Sequence, residues 1–288
     1  MTPILNVRFH FLLVLLFLLS GLKGVKSEEF TLPENPFTRL VRSEDGSLKS
    51  FDTSLVTFVS PDGSQRVTLV GAIHIGEARY YRTLNEKFTH FDAVLFEMVG
   101  NGDPRPSSAQ ESKGIVGTIQ RLSAKMMGLK FQIGSIDYHA ENFIHADMTE
   151  TEFKAAMKKR GDGLLVWYVR SIGYGSAQRS ETSREELQYY LEFLVSPNKS
   201  RALRRLSAEN MADIRSTIVP VEGKNGSSLV QDRNDKALKV LREQLNQGKK
   251  NVAIFYGAAH LPDLAQKLQD DFGMKAEGIE WVPCWKLD

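Results

Sequence analysis

The sequence predicts an α/β fold whose central sheet contains two strand–GxxH–helix–strand repeats, with a mainly helical insertion between them at about 106–247. In the first repeat, the apolar run Arg66–Val70 leads into Gly71-Ala72-Ile73-His74 and then a stretch with helical periodicity. In the second, Asn251–Tyr256 leads into Gly257-Ala258-Ala259-His260 and a similar stretch. Because ligands collect at the carboxyl ends of parallel strands, we expect both histidines to face one crevice.

The strand predictions follow from apolar runs and turn residues. Leu55–Ser60 and Gln65–Leu69 flank Pro61-Asp62-Gly63, a combination typical of a hairpin turn. Ala93–Val99 is almost continuously apolar, which indicates a strand covered on both faces. The remaining predicted strands are Ile133–Tyr138, Val252–Tyr256 and Glu277–Trp281.

Three further helices are predicted in the middle of the chain. Thr149-Glu150-Thr151-Glu152 forms a capping box before Phe153–Arg160. Thr182 and Ser183 begin a helix that runs to Leu194, and Ser227 begins another that stops at Gly248. Glu222–Ser228 has the composition of a mobile connector.

The first 27 residues have the pattern of a signal peptide. Arg8 precedes the apolar run Phe11–Leu19, and Val25-Lys26-Ser27 offers a cleavage site. The apolar stretch is at most 14 residues, from Phe9 to Leu22, shorter than the ~20 residues of a membrane-spanning helix. We therefore predict a single domain at 28–288 that is secreted or periplasmic, without a membrane span. Anchoring by an uncleaved signal is the alternative.

Charge and cysteine content exclude several classes of protein. Residues 1–27 hold three of the 37 basic residues (Arg8, Lys23 and Lys26) and none of the 35 acidic ones, so the mature chain has a net charge of −1. This balance gives no basic patch for nucleic acid or an anionic membrane surface. The only cysteine, Cys284, lies in an apolar segment and is expected to be a buried, inert thiol.

Glu97 is the most informative acidic residue, because a charge inside the apolar run Ala93–Val99 is costly unless it is paired or binds a metal. The predicted strand places it at the same sheet edge as His74 and His260. Two histidines and one carboxylate are a common ligand set for Zn, Mn, Co or Fe. The alternatives are a structural Glu–Arg ion pair and two histidines that cap helices or lie in the core.

Other residues are candidates for catalytic roles. Glu77 follows His74 by three residues on one helix face and could join the site as a second ligand or a base, or simply complement the helix dipole. Asp137 and His139 are predicted at a strand end, where they could support a metal ligand, add another imidazole or act as the base. They could equally lie at the surface. Arg233 could bind a substrate carboxylate or stabilise an oxyanion, although helical arginines are usually solvated.

At these residues the chain resembles the TraB/GumN family, which is related to the Tiki metalloproteases and more remotely to erythromycin-esterase and ChaN-like proteins. The similarity is strongest at residues 71–99 and 251–268 and weaker at Gln132–Thr149. Asp232-Arg233-Asn234 stands where the family often has Glu-Arg-Asn, so the resemblance adds Asn234 to the candidate site.

The resemblance implies an α/β fold in which His74, Glu97 and His260 hold a divalent metal ion. It also implies a hydrolase, with a peptide or protein as the substrate. We therefore predict an exported metal-dependent peptidase. A protein that sequesters a peptide without cleaving it and a ChaN-like haem-binding protein are the alternatives.

Overall fold

The computed structural model describes residues 30–100, 124–160, 194–211 and 230–288, and Leu32–Asp288 forms one compact unit. The predicted signal peptide, the predicted helix from Thr182 and the connector Glu222–Ser228 lie outside the described residues. The strands are β1 (Thr38–Arg42), β2 (Leu48–Val59), β3 (Arg66–Ala72), β4 (Ile75–Gly76), β5 (Ala93–Phe96), β6 (Lys130–Phe131), β7 (Phe143–His145), β8 (Asn251–Gly257) and β9 (Lys275–Lys286). The helices are α1 (Ala78–Phe88), α2 (Glu150–Arg160), α3 (Lys199–Met211), α4 (Gln231–Asn246) and α5 (Leu261–Phe272).

A seven-stranded mixed sheet organises the fold and confirms the α/β class. Its order is β1-β2-β3-β8-β5-β7, with β9 also paired to β2. β3, β8, β5 and β7 are parallel neighbours, whereas β2 runs antiparallel to β1, β3 and β9. The hairpin predicted around Pro61-Asp62-Gly63 is confirmed as the β2–β3 connection, with Gly63 at φ +71° in the turn.

Helices cover both faces of this sheet, which explains why its inner strands are apolar throughout. One face buries Val94 and Phe96 of β5 together with Tyr81 and Leu84 of α1. The other face buries the alternate residues of β5 against α4 and α5. These contacts involve Ala93, Leu95, Leu238, Leu241, Leu264 and Leu268. Each strand residue thus contributes to one of two cores according to the alternation of side chains along a strand.

The parallel strands place their carboxyl ends side by side. Ala72 at the end of β3 pairs with Gly257 at the end of β8. Phe96 at the end of β5 pairs with Phe255 of β8. Residues that follow these three strands therefore meet at one edge of the sheet.

One expectation about the middle of the chain needs correction. The predicted strand Ile133–Tyr138 is wrong, because the amides of Ser135 and Ile136 donate to the Gln132 carbonyl and close a turn instead. Its alternating burial, with Ile136 and Tyr138 inside, imitates a strand. The strand that joins the main sheet here is β7, which pairs with β5.

The capping box is confirmed at the start of α2. The Glu152 amide donates to Thr149 Oγ1 at 3.2 Å, and the Thr149 amide donates to Glu152 Oε2 at 2.8 Å.

The helix predicted from Ser227 is described from Gln231 onwards and ends at Asn246, shortly before Gly248. Cys284 is buried as expected, and its thiol donates to the Phe51 carbonyl.

The packing of α1 on the sheet gives a first prediction. Leu84 is fully buried between α1 and the sheet, so Leu84→Ala should lower the free energy of unfolding by about 2–5 kcal/mol. Arg82→Ala, at an exposed position of the same helix, should change it by no more than about 0.5 kcal/mol. Urea denaturation of both variants measures the difference, and equal effects would contradict the docking of α1.

Candidate functional site at the carboxyl edge of the sheet

Glu97 and His260 meet at the carboxyl edge of the sheet. Glu97 follows β5 directly, and His260 ends a 3₁₀ turn, Ala258–His260, that follows β8. His260 Nε2 lies 3.6 Å from Glu97 Oε1. The structure therefore brings together two of the three residues predicted to hold a metal.

Two donors hold the Glu97 carboxylate. The Gly257 amide donates to Oε2 at 2.6 Å, and the Arg233 guanidinium donates to Oε1 at 2.7 Å. A side chain at position 257 would interfere, because a Cβ there would lie 3.2 Å from Oε2. The absence of a side chain at Gly257, the glycine of the second GxxH motif, therefore lets the Glu97 carboxylate reach the Gly257 amide.

These contacts keep Glu97 ionised although it is buried. Burial alone would raise the pKa of Glu97, but Arg233, the His260 imidazole when it is protonated at acid pH, and the Gly257 amide together lower this pKa to about 2. Hydrogen bonds from a charged donor and a backbone amide favour the carboxylate form. The site thus holds a fixed negative charge at neutral pH.

Arg233 lies between two carboxylates. Its Nε donates to Asp147 Oδ1 at 3.0 Å, and one terminal nitrogen donates both to Asp147 Oδ2 at 2.5 Å and to Glu97 Oε1. The Asp147 side chain is fully buried, and that of Arg233 is 11% exposed. The Glu–Arg ion pair that the sequence left open as an alternative is therefore present. Arg233 also pairs with a second acid, Asp147.

Asn234, the neighbour of Arg233 on α4, contacts His260. Its Oδ1 lies 2.7 Å from His260 Nδ1, and its Nδ2 donates to the His260 carbonyl and to Asp263 Oδ2. With Oδ1 as the acceptor, His260 carries its proton on Nδ1, which leaves Nε2 as a lone pair that faces Glu97. Burial lowers the pKa of His260, although Glu97 opposes this, so the imidazole is neutral.

His74 lies at the same edge but stands apart from this pair. It is exposed on the bend that follows β3, and its carbonyl accepts from the Gln132 amide at 2.8 Å. Within the described part of the chain, no group of three or more His, Cys, Asp or Glu side chains is arranged to hold a metal ion.

Glu77 takes part in a different network. Its Oε1 accepts from the Lys286 amide at 2.8 Å and from Arg204 at 3.2 Å, and its Oε2 accepts from Arg79 at 2.7 Å. These bonds tie the start of α1 to the end of β9 and to α3. Because its oxygens are used there, the structure does not bring Glu77 to Glu97 or His260.

Asp137 and His139 are exposed and lie beside the last turns of α1. The Asp137 amide donates to Asn85 Oδ1, and Asp137 Oδ1 accepts from the His139 amide in a local turn. Asp137 lines an open cavity of about 310 Å³ together with Asn85, Phe88 and Asn142. Neither residue contacts Glu97 or His260, since the strand expected to carry them is a turn.

Sequence reasoning missed Asp147 and Asp263. Asp147 follows β7 by two residues, so its position at the end of a parallel strand was a usable signal, but that strand was assigned elsewhere. Asp263 lies in the first turn of α5, where an acid is ordinarily explained by the helix dipole.

Comparisons with protein-family models, curated proteins and solved structures find no match to this chain. Among the helices in the described ranges, none has the length and apolar character needed to cross a membrane.

The contact between Gly257 and Glu97 gives a second prediction. Gly257→Ala should lower the free energy of unfolding by about 1–3 kcal/mol, because the added methyl group pushes on the Glu97 carboxylate. Gly278→Ala is the control, since a Cβ there meets no atom within 4 Å. Thermal denaturation of both variants tests this, and equal stability would show that the carboxylate moves without cost.

The low pKa of Glu97 gives a third prediction. A pKa of about 2 in the folded protein, against an ordinary value of 4.5 for a glutamate side chain, stabilises the fold above pH 4.5, and this contribution is lost as pH falls towards 2. The loss should approach about 3 kcal/mol. Glu97→Gln should remove this part of the pH dependence in urea titrations between pH 6 and pH 2. An unchanged pH profile in the variant would contradict the assignment.

Proposed function

We propose that the chain is a metal-dependent hydrolase, exported from the cytoplasm, that cleaves a peptide or protein. Glu97 and His260 would be the central ligands of a divalent cation such as Mn, Co or Zn, with His74 as the third. One observation carries the proposal: Nε2 of the buried His260 lies 3.6 Å from Oε1 of the Glu97 carboxylate, while Asn234 occupies Nδ1 of the same imidazole. Burial favours the neutral imidazole, in which Nε2 then carries a lone pair. A lone pair and a carboxylate do not attract each other, whereas a cation between them binds both.

The distance between the two ligand atoms suits a metal ion. Ligand atoms about 2.0–2.1 Å from a tetrahedral metal lie roughly 3.3 Å from each other. The observed 3.6 Å requires only a small adjustment of either side chain. Asn234 already fixes the imidazole through Nδ1, as partners of metal-bound histidines commonly do.

The neighbouring charges also tolerate a cation. Glu97, Asp147 and Arg233 together carry one negative charge, because two carboxylates surround one guanidinium. Asp147 contacts Arg233 through both oxygens, so Arg233 can remain in place if Glu97 turns towards a metal. Arg233 would then keep Glu97 oriented from the side.

His74 would complete the ligand set from the exposed side of the edge. Its strand, β3, is the parallel neighbour of β8, and His74 follows the end of β3 by two residues. Because the side chain is exposed, it can turn towards Glu97 without breaking a core contact.

A divalent cation at this site would supply a Lewis acid for the scissile carbonyl and a water of lowered pKa. The chain would supply the ionised Glu97, the neutral His260 and the guanidinium of Arg233 beside them. Glu77, Asp137 and His139 contact other groups, so the proposal gives them no part in the reaction. The peptide substrate is supported by the resemblance to Tiki-type proteases, and export by the signal-like N-terminus.

A fourth prediction tests the metal site directly. Wild-type protein offered Zn, Mn or Co at neutral pH should bind about one ion, measured by metal analysis after gel filtration and by calorimetry. Glu97→Ala and His260→Ala should each lose most of this ion, because few protein ligands share its affinity. His74→Ala should weaken binding as well, because it removes the proposed third ligand.

His139→Ala is the matched control, since His139 is exposed and contacts neither Glu97 nor His260. It should bind as wild type does. A wild-type protein that takes up no ion would refute the metal site and the hydrolase with it. It would leave the Glu97–Arg233–Asp147 cluster as a structural ion network.

Cleavage of a peptide library with and without chelator then tests the reaction.

A further inference from the structure

We propose that Asp263 is a positioning residue of this site: its carboxylate, held by Lys267, fixes the amide of Asn234 so that His260 keeps its proton on Nδ1. Nε2 is thereby kept as the lone pair that faces Glu97. The importance of this for catalysis rests on the proposed function, but the positioning itself concerns the protein without metal.

The orientation of the Asn234 amide is decided by its neighbours. Nδ2 lies 2.8 Å from Asp263 Oδ2 and 3.1 Å from the His260 carbonyl oxygen. Both of these atoms only accept hydrogen bonds, so the NH₂ group must face them. Rotating the amide by half a turn would place its oxygen against a carboxylate and a carbonyl, and would break both bonds.

The protonation of the imidazole follows from this orientation. With Nδ2 turned to its two acceptors, Oδ1 faces His260 Nδ1 at 2.7 Å. Asn Oδ1 cannot donate, so Nδ1 must carry the proton. An imidazole without such a partner in water prefers its proton on Nε2, which would block the atom that faces Glu97. The Asn234 network therefore selects the less common tautomer.

Asp263 is itself held in place. Lys267, one turn later on α5, lies 2.9 Å from Asp263 Oδ2 and 2.6 Å from Asp235 Oδ1 on α4. Lys267 thus links α5 to α4 directly beside Asn234. An acid that only interacted with the helix dipole would not need to contact Lys267 or Asn234. Asp263 contacts both of them through the same oxygen, Oδ2.

The tautomer of His260 can be measured by nitrogen-15 NMR of histidine-labelled protein at neutral pH in the presence of chelator, with His260→Ala to assign the signals. Wild type should show His260 protonated on Nδ1. Asp263→Ala should shift it to a mixture of the two tautomers. Asp263→Asn should retain the wild-type tautomer, because its Oδ1 can still accept from Asn234.

Asp271→Ala is the control, since Asp271 is an exposed acid in the last turn of the same helix. It should leave the tautomer unchanged. A wild-type His260 protonated on Nε2, or an Asp263→Ala variant that keeps the wild-type tautomer, would overturn the proposal. If Asp263→Ala fails to fold, Asp263→Ser replaces it, because serine stays polar in the first turn but is too short to reach Asn234.

Calorimetry with Zn²⁺ separates this proposal from the metal site. In Asp263→Ala the affinity should fall about 10- to 100-fold, as it does when an outer partner of a ligating histidine is lost. If wild type binds no metal but the tautomers behave as expected, the proposed function fails and the positioning role of Asp263 holds. If metal binds and Asp263→Ala has the wild-type tautomer and affinity, only the positioning role fails.

Discussion

The buried carboxylate of Glu97 sets the conditions for everything around it. An ionised side chain that is only 16% exposed is tolerated only if hydrogen bonds and an opposite charge replace the lost water. The Gly257 amide and Arg233 fulfil these conditions on different oxygens. Arg233 is buried in turn, and it requires Asp147 as a second partner. The buried charge of Glu97 therefore requires Gly257 on β8 and Arg233 on α4. Through Arg233 it also requires Asp147, which follows β7.

The register of the parallel strands is what lets these partners meet. Because Phe96 pairs with Phe255, the residue that follows β5 lies beside the end of β8, within reach of the Gly257 amide. A shift of one residue in this pairing would turn Glu97 towards the opposite face of the sheet. The two apolar cores, which alternate along β5, stabilise this register. The geometry of the candidate site is therefore a consequence of core packing.

Much of this arrangement could be predicted from the sequence, for physical reasons that differ between residues. Glu97 was recognisable because a charge in an apolar run needs a partner, and His260 because it follows a strong strand signal. The place of His74 could not be predicted in the same way, because it lies on an exposed bend after β3, outside the core packing that fixes the other two residues. Ile133–Tyr138 imitated a strand through alternating burial, whereas its backbone bonds close a turn. That error also concealed Asp147, since the strand before it was assigned to the wrong residues.

The two consecutive residues Arg233 and Asn234 show how one helix orients both partners of the site. Successive helix residues point about 100° apart, so Arg233 reaches Glu97 and Asp147 while Asn234 reaches His260 and Asp263. Leu238 and Leu241 of the same helix are buried against the sheet, which fixes the rotation of α4 about its axis. A change in this packing would move the guanidinium and the amide together. The charge of Glu97 and the tautomer of His260 are therefore coupled through α4, although these two residues belong to different strand ends.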